Sequence, residues 1–361
     1  MFSELISGIK SNAEVVADVP LKYTENSHFR DLIQDSSSDP PNYTTKIFDY
    51  EIGGMKPFYG IYSSCLENRI ATRAICKSLK LKKYDIFHPT YYDPYFLDYL
   101  GDIPFVVTIH DMIPELFGWE HPVIEQKQLL VKHASKVIVV SENTKNDLLK
   151  IYGLPEESVS VVYHGSSLNT SSQHPKSHLK LPQRYILFTG KRSAYKNFTF
   201  FIESIAPLLL ADKDLFVLCT KIDRSRNSFS QIERELFDSL NIREQVIEIN
   251  TSDIELATMY EGALCYVCPS RYEGFGIPIV EAFHCDCPVV VSNTSSMPEI
   301  AGDAAIYFDP TSHESIHNAV AQVINDKSLR ESLRGRGKIR KNKFSWEKSI
   351  EQTLGIYKSM L

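Results

Sequence analysis

Two carboxylates and two cations carry most of the chemistry available to this chain. Glu273 and Glu281 stand eight residues apart around the turn Gly274-Phe275-Gly276, in the run SRYEGFGIPIVEA. Just upstream, LCYVCPS is a short apolar run of β-branched and aromatic type that stops at Pro269. Downstream, Pro278 falls where the first turn of a helix tolerates proline, so a helix opens at Ile277. A strand, a glycine turn and a helix N-terminus make a corner whose N–H groups and dipole favour an anion. Glu273 lies before that helix and Glu281 about one turn inside it, so both acids can address one ligand from different ends. Arg192 and Lys196 occupy a second such corner, TGKRSAYKN, which passes Gly190 on its way from a strand end into a helix. Two cations there suit a diphosphate. A ligand carrying both hydroxyls and phosphates matches the whole set.

Other polar residues also end apolar runs. His110 and Asp111 follow PFVVTI, at the carboxyl end of a strand, where doubly wound sheets place ligands. His88 lies in IFHPTYYDPYF, read as a strand end, whose aromatics, Tyr91 among them, offer stacking surface. The plainer readings are a core histidine bonded to backbone for His110 and ordinary packing for His88. Ser141, Glu142 and Asn143 end the strand KVIVV and begin a helix, first as a cap worth about 1 kcal/mol and only then as ligand contacts. His164 and Gly165 close the next strand. Asp212-Lys213-Asp214 precedes a strand, at the end remote from the ligand edge, and reads as a turn; no metal and no cofactor are assigned.

The elements that must position these residues alternate regularly. YDIFHPTYY, PFVVTIHDMIP, KVIVVSENTKNDLLKIYG and SVSVVYHG in the first half interleave strands with helices, the pattern of a parallel doubly wound sheet. Polar SSLNTSSQHPKSHLK, residues 166–180, reads as a linker. A second alternation follows through RYILFTG, LFVLCT, VIEIN, LCYVCPS and PVVVSN, and FSWEKSIEQTLGIYKSML closes the chain as a helix.

The chain's 361 residues give room for two domains and an ample core. A net charge of −6 argues against nucleic acid as a partner. No run of about 18 apolar residues is present, and no secretory signal opens the chain. Seven cysteines in mostly apolar contexts read as reduced thiols of a cytoplasmic protein. Cys265 and Cys268 have metal-like spacing, but within a strand they face nearly opposite ways, which disfavours zinc.

The dense run SRYEGFGIPIVEA, PVVVSN and SSMPEIAGDAAIYFDP resembles the acid-bearing region of the retaining glycosyltransferases of family 4. That resemblance implies the α/β GT-B architecture, two Rossmann-like doubly wound domains facing across a cleft, with domains at 1–168 and 169–343 and a helix at 344–361 packed back on the first. It implies a nucleotide-sugar donor, GDP- or UDP-linked, and a glycan or lipid-linked acceptor. Likeness to O-antigen mannosyltransferases makes mannose the sugar to test first. Glu273, His110, Arg192 and Lys196 become the catalytic set. Gly190, Gly274, Phe275, Gly276, Ile277 and Glu281 become donor contacts, Glu281 holding the ribose hydroxyls. His88, Tyr91 and Asp111 become acceptor contacts. Lys191, between Gly190 and Arg192, departs from the commoner pattern by shifting the arginine one place.

The start is unusual for such a family. MFSELISGIKSN reads as an amphipathic helix where a strand and glycine-rich loop are expected first, so the chain reads as lacking both, unless YTTKIFDYEIGG supplies the strand. A truncated, inactive remnant that only binds nucleotide sugar is therefore the competing reading; a GT-B epimerase or phosphorylase is a third. Arg69, Arg73, Lys77 and Lys80 recur at helical spacing, followed by Lys82 and Lys83. This stripe is either a solvated face or a peripheral contact with anionic lipid.

Overall fold

The computed structural model describes residues 4–5, 7–8, 72–73, 75–77, 79–81, 84–168, 179–192, 194–220 and 229–361. The first half contributes β1 (Val106–Ile109), β2 (Lys136–Val139) and β3 (Val159–Val161), a sheet of that order. The second half contributes β4 (Arg184–Phe188), β5 (Leu215–Thr220), β6 (Val246–Ile249), β7 (Cys265–Cys268), β8 (Val289–Ser292) and β9 (Ala305–Phe308). These six lie in the order β6-β5-β4-β7-β8-β9, and every neighbouring pair is parallel. The chain starts in the middle, builds outward to β6, returns to β7 beside β4 and builds out the other way. Direction therefore reverses between β4 and β7, and an open α/β sheet binds ligands outside the carboxyl ends of the strands at that place.

Strands buried on both faces are mostly apolar, and β4 after Arg184, β7, and β8 up to Val291 are. Their alternate side chains feed two separate cores. Tyr185, Leu187, Tyr266, Cys268, Val289 and Val291 face one; Ile186, Phe188, Cys265, Val267 and Val290 face the other. Strand alternation thus sends Cys265 and Cys268 to opposite sides of the sheet, and burial pushes the Cys265 thiol up to about 12. Helices Gln231–Ser239 and Asp253–Gly262 each begin with a reciprocal serine–glutamate cap, Ser230 with Glu233 and Ser252 with Glu255. Asp212 makes the turn into β5, its Oδ1 accepting from the Asp214 amide at 3.0 Å.

By compactness the chain divides into one unit of Met1–Thr108, Glu120–Val137 and Ile350–Leu361, and a second of Ile109–Trp119 and Ile138–Ser349. In the first, Leu354 of helix Trp346–Lys358 packs on Leu5. IFHP is not the strand that its composition promises. Only Phe87 pairs, bridging Phe105, because Pro89 has no N–H to continue a ladder. Glu4, Leu5, Ser7 and Gly8 are helical. Whether YTTKIFDYEIGG replaces a first strand lies outside the described residues, as do Arg69, Lys82 and Lys83. Arg73, Lys77 and Lys80 are exposed on a helical stretch whose Cys76 and Leu79 are buried. Among the described residues no helix is long and apolar enough to cross a membrane.

Candidate active site

Both acid- and cation-bearing loops leave the sheet where its strand order reverses. Residues after β4 bring Lys196, and residues after β7 bring Glu273. Lys196 Nζ donates to Glu273 Oε1 at 2.6 Å, and Ser270 Oγ donates to the same oxygen at 2.6 Å. The Arg271 amide donates to the Tyr195 carbonyl at 2.8 Å and ties the two loops together. Asn197 takes the left-handed conformation at φ 60°, which asparagine tolerates, and its side chain donates to the Pro310 carbonyl at 2.8 Å. Burial alone would lower the Lys196 pKa; the Glu273 carboxylate, together with Cys268 and Tyr195, holds the ammonium above its ordinary value. The Lys196 and Glu273 side chains keep 17% and 12% of their exposure. The pair is sheltered but reachable.

A belt of hydroxyls sets the turn after Glu273. Ser295 and Ser296 donate to the Glu273 carbonyl at 2.6 and 2.9 Å. Ser141 and Thr144 donate to the Gly274 carbonyl at 2.6 and 3.0 Å, and Ser296 also donates to the Phe275 carbonyl at 2.9 Å. Carbonyl and N–H point opposite ways across a planar trans peptide. Each of these three carbonyls is thus held by a hydroxyl, and the amide of the following residue, Gly274, Phe275 or Gly276, points away from that hydroxyl. Gly274 has no room for a side chain: a Cβ there would meet the His110 carbonyl at 1.8 Å. Gly276, at φ 100°, makes the left-handed entry to helix Ile277–His284, whose N-terminus adds its own positive field.

Glu281 lies inside that helix. Tyr260 Oη donates to Glu281 Oε2 at 3.0 Å and lies 3.2 Å from Thr189 Oγ1 at the end of β4. Burial raises the Glu281 pKa; the Tyr260 hydrogen bond opposes that rise.

Arg192 is not brought to Lys196 and Glu273. Its Nε donates to Glu233 Oε1 at 2.7 Å and its guanidinium pairs with Glu248 of β6 at 2.7 Å. The guanidinium carbon lies 4.9 Å from the Phe229 ring centroid and 5.7 Å from that of Phe198. Lys191, beside Gly190, is exposed. The Phe275 side chain is core, packed among Tyr163, His164 and Phe344. His110 lies with its ring 6.0 Å from that of His164. Burial, then the nearness of His110, depresses the His164 pKa well below 6.5. Asp111 Oδ1 accepts from the Ile113 amide at 3.0 Å, two residues on, in the turn that leads into a short helix. His88 belongs to the other unit, where its Nδ1 meets Tyr357 Oη at 2.6 Å and its Nε2 meets Thr108 Oγ1 at 2.9 Å. Tyr91, in the same unit, is 64% exposed against Tyr92.

Ser141 accepts from the Thr144 amide at 3.0 Å as an N-cap, and Glu299 takes the Glu142 and Asn143 amides at 2.8 and 3.1 Å. That helix end is thus filled by the protein's own groups. Sequence reasoning missed Ser270, Ser295, Ser296, Thr144 and Tyr260 as supports of the acids. For Ser295 and Ser296 the only signal was a clustering of hydroxyls in SNTSSM, which reads as an ordinary loop; Ser270, Thr144 and Tyr260 carried none. Among the described residues no group of three or more His, Cys, Asp and Glu is placed to hold a metal ion.

Comparison with known proteins follows this layout. Residues 28–169 match the family described as Glycosyltransferase Family 4, and residues 169–340 that described as Glycosyl transferases group 1. O-antigen chain mannosyltransferase B of Escherichia coli is 27% identical over 292 residues, 77% of this chain and 74% of its own. Alpha-maltose-1-phosphate synthase of Mycobacterium tuberculosis is 27% identical over 293 residues, covering 72% and 74%. Among solved structures, Anabaena Alr3699/HepE in complex with UDP and glucose superposes with a TM-score of 0.67 at 18% identity, over 85% of this chain and 84% of its own. Sucrose-phosphate synthase of Thermosynechococcus elongatus gives 0.66 at 18%, over 81% and 78%. At such identities the likeness is one of fold, and that fold is GT-B.

Proposed function

The chain belongs to the family 4, group 1 glycosyltransferases, and from its site we propose a metal-independent, retaining transfer of a sugar from a nucleoside diphosphate to a glycan or lipid-linked acceptor. The observation that carries this reading is the Lys196–Glu273 pair, 2.6 Å apart, at the reversal between β4 and β7. In transfer, the bond between the sugar's C1 and the β-phosphate oxygen breaks, and negative charge grows on the departing diphosphate. Lys196, the amides of Gly274 to Gly276 and the helix N-terminus at Ile277 supply fixed positive charge there, which stabilises the transition state more than the ground state. Glu273 accepts from the sugar's hydroxyls and offsets positive charge on its ring. The acceptor hydroxyl attacks on the face that the diphosphate leaves, and its proton passes to the leaving phosphate oxygen. No separate general base is needed. Glu281, held by Tyr260, takes the ribose hydroxyls.

Arg192 supports the loop from behind in this reading, and Lys191, exposed beside Gly190, is the second cation that we assign to a diphosphate. Mannose is the first sugar to try, because an O-antigen mannosyltransferase is among the relatives. Calorimetric titration of the purified chain with GDP, UDP and GDP-mannose tests the donor site. Selective binding of one nucleotide supports the reading and names the base; no binding by a folded, monodisperse chain overturns it. The anomeric configuration of the product, read by NMR, decides retention against inversion.

A further inference from the structure

Beside the Lys196–Glu273 pair lies an aromatic cluster that the donor chemistry does not use. Phe117 and Trp119, 39% and 44% exposed, both face Tyr195 at centroid distances of 6.1 Å. Leu116 next to them is 46% exposed. Tyr195 immediately precedes Lys196, whose ammonium lies 5.5 Å from the Tyr195 ring centroid. The patch therefore runs directly into the pair that marks the reacting centre.

The patch is also held in place. Asp111 accepts from the Ile113 amide at 3.0 Å, and Tyr152 donates to Glu115 at 2.6 Å. The amides of Leu116, Phe117 and Trp119 donate to the carbonyls of Met112, Ile113 and Pro114 at 3.0, 3.0 and 2.9 Å. Gly118 turns the chain in the left-handed region at φ 63°, between the two rings. Tyr195 is fixed through its carbonyl to the loop after β7. Contiguous exposed aromatics on a rigid frame mark a binding surface, since a contact made without reordering loses little entropy.

We propose that Phe117, Trp119 and Tyr195 form a stacking platform for a pyranose ring of the acceptor. The occupant follows from chemistry and place. An aromatic face is electron-rich, and a pyranose presents a face of weakly positive C–H groups with hydroxyls around its rim. A ring stacked on Tyr195 has its rim next to Lys196 and Glu273, where an acceptor hydroxyl must come. Aliphatic chains gain no such orientation from flat rings. The inference rests on the transferase reading above and adds to it the acceptor's binding surface.

Trp119 makes a direct test available, because the chain has only two tryptophans. The native chain, saturated with whichever of GDP or UDP it binds, is titrated with trisaccharides of mannose, glucose and N-acetylglucosamine while tryptophan fluorescence is followed. One trisaccharide is expected to perturb the fluorescence saturably. Read by calorimetric titration, since both variants lack the Trp119 reporter, Trp119→Ala should weaken that binding by about tenfold or more, the equivalent of one good aromatic contact, and Trp119→Phe should recover most of it. Nucleotide affinity should stay the same in both. The platform is overturned if no trisaccharide acts on the native chain, or if Trp119→Ala with Phe117→Ala binds it as the native chain does. Failure to bind any nucleotide sinks the transferase reading instead, so the two failures are distinct.

Discussion

The loop after β4 sends two cations to two different ion clusters, which differ in their place on the sheet and in their burial. Lys196 crosses to Glu273 after β7, over the place where the sheet reverses. Arg192 goes the other way, to Glu233 after β5 and Glu248 on β6, on the side where strands follow one another continuously. Composition hardly distinguishes the two. Their surroundings do. Glu273 and Lys196 form a one-to-one pair helped by a serine hydroxyl and still partly open to solvent. Arg192 faces two carboxylates in a site lined by two phenylalanine rings, with the Glu248 side chain only 3% exposed. An open α/β sheet has its ligand crevice where strand order reverses; the Lys196–Glu273 pair stands there and the Arg192 cluster stands on the continuous side.

The sharpest way to break this comparison is Arg192→Ala. It leaves two buried carboxylates without their cation and should cost about 3–5 kcal/mol of stability, measured by urea denaturation. Native stability with lost nucleotide affinity would reverse the assignment and make Arg192 the phosphate ligand. Glu273→Gln should act in the opposite sense, lowering transfer by about 10²–10³-fold with a thermal midpoint near native. Full activity in that variant would remove Glu273 from the site. A smaller effect concerns the packing behind Phe275, where His164 is kept neutral by burial and by His110. Below its ordinary value of 6.5 the unfolded chain takes a proton there that the folded chain refuses. Stability should then fall as pH drops below that value, by up to about 1.4 kcal/mol per pH unit, and His164→Phe should flatten the slope. An equal slope in both proteins would rule out His164 as the cause. Tyr260→Phe should cost least, about 1 kcal/mol, through the lost contacts to Glu281 and Thr189. Its mark is a loss of preference for a ribonucleoside diphosphate over its 2′,3′-dideoxy analogue. An equal loss toward both analogues would mean that Tyr260 supports the fold and not the acid.

Much of the C-terminal half is legible residue by residue. RYILFTG, LFVLCT, LCYVCPS and PVVVSN carry their strands because a strand buried on both faces is mostly apolar, and VIEIN carries the edge strand β6 with Glu248 in it. Glu273, Gly276 and Pro278 announce strand, turn and helix by local rules alone. Other expectations from the same kind of reading depended on partners far away in sequence. IFHP looks like a strand yet pairs at one residue. Arg192 and Lys196, four places apart, look like one clamp, but their partners stand on β6 and in the loop after β7. The hydroxyls that hold the 273–275 carbonyls come from Ser141, Thr144, Ser295 and Ser296, the first two more than a hundred residues away.

What the sequence by itself determined is therefore the kind of sheet, the glycine corner and the acids that stand at it, since these follow from hydrophobic period, backbone freedom and spacing. Only the tertiary structure decided which cation meets which acid, which hydroxyls lock the turn, and that Phe117, Trp119 and Tyr195 share one surface. Strand order brings those residues together, and strand order is set by packing across the whole sheet, which no local window of the chain contains.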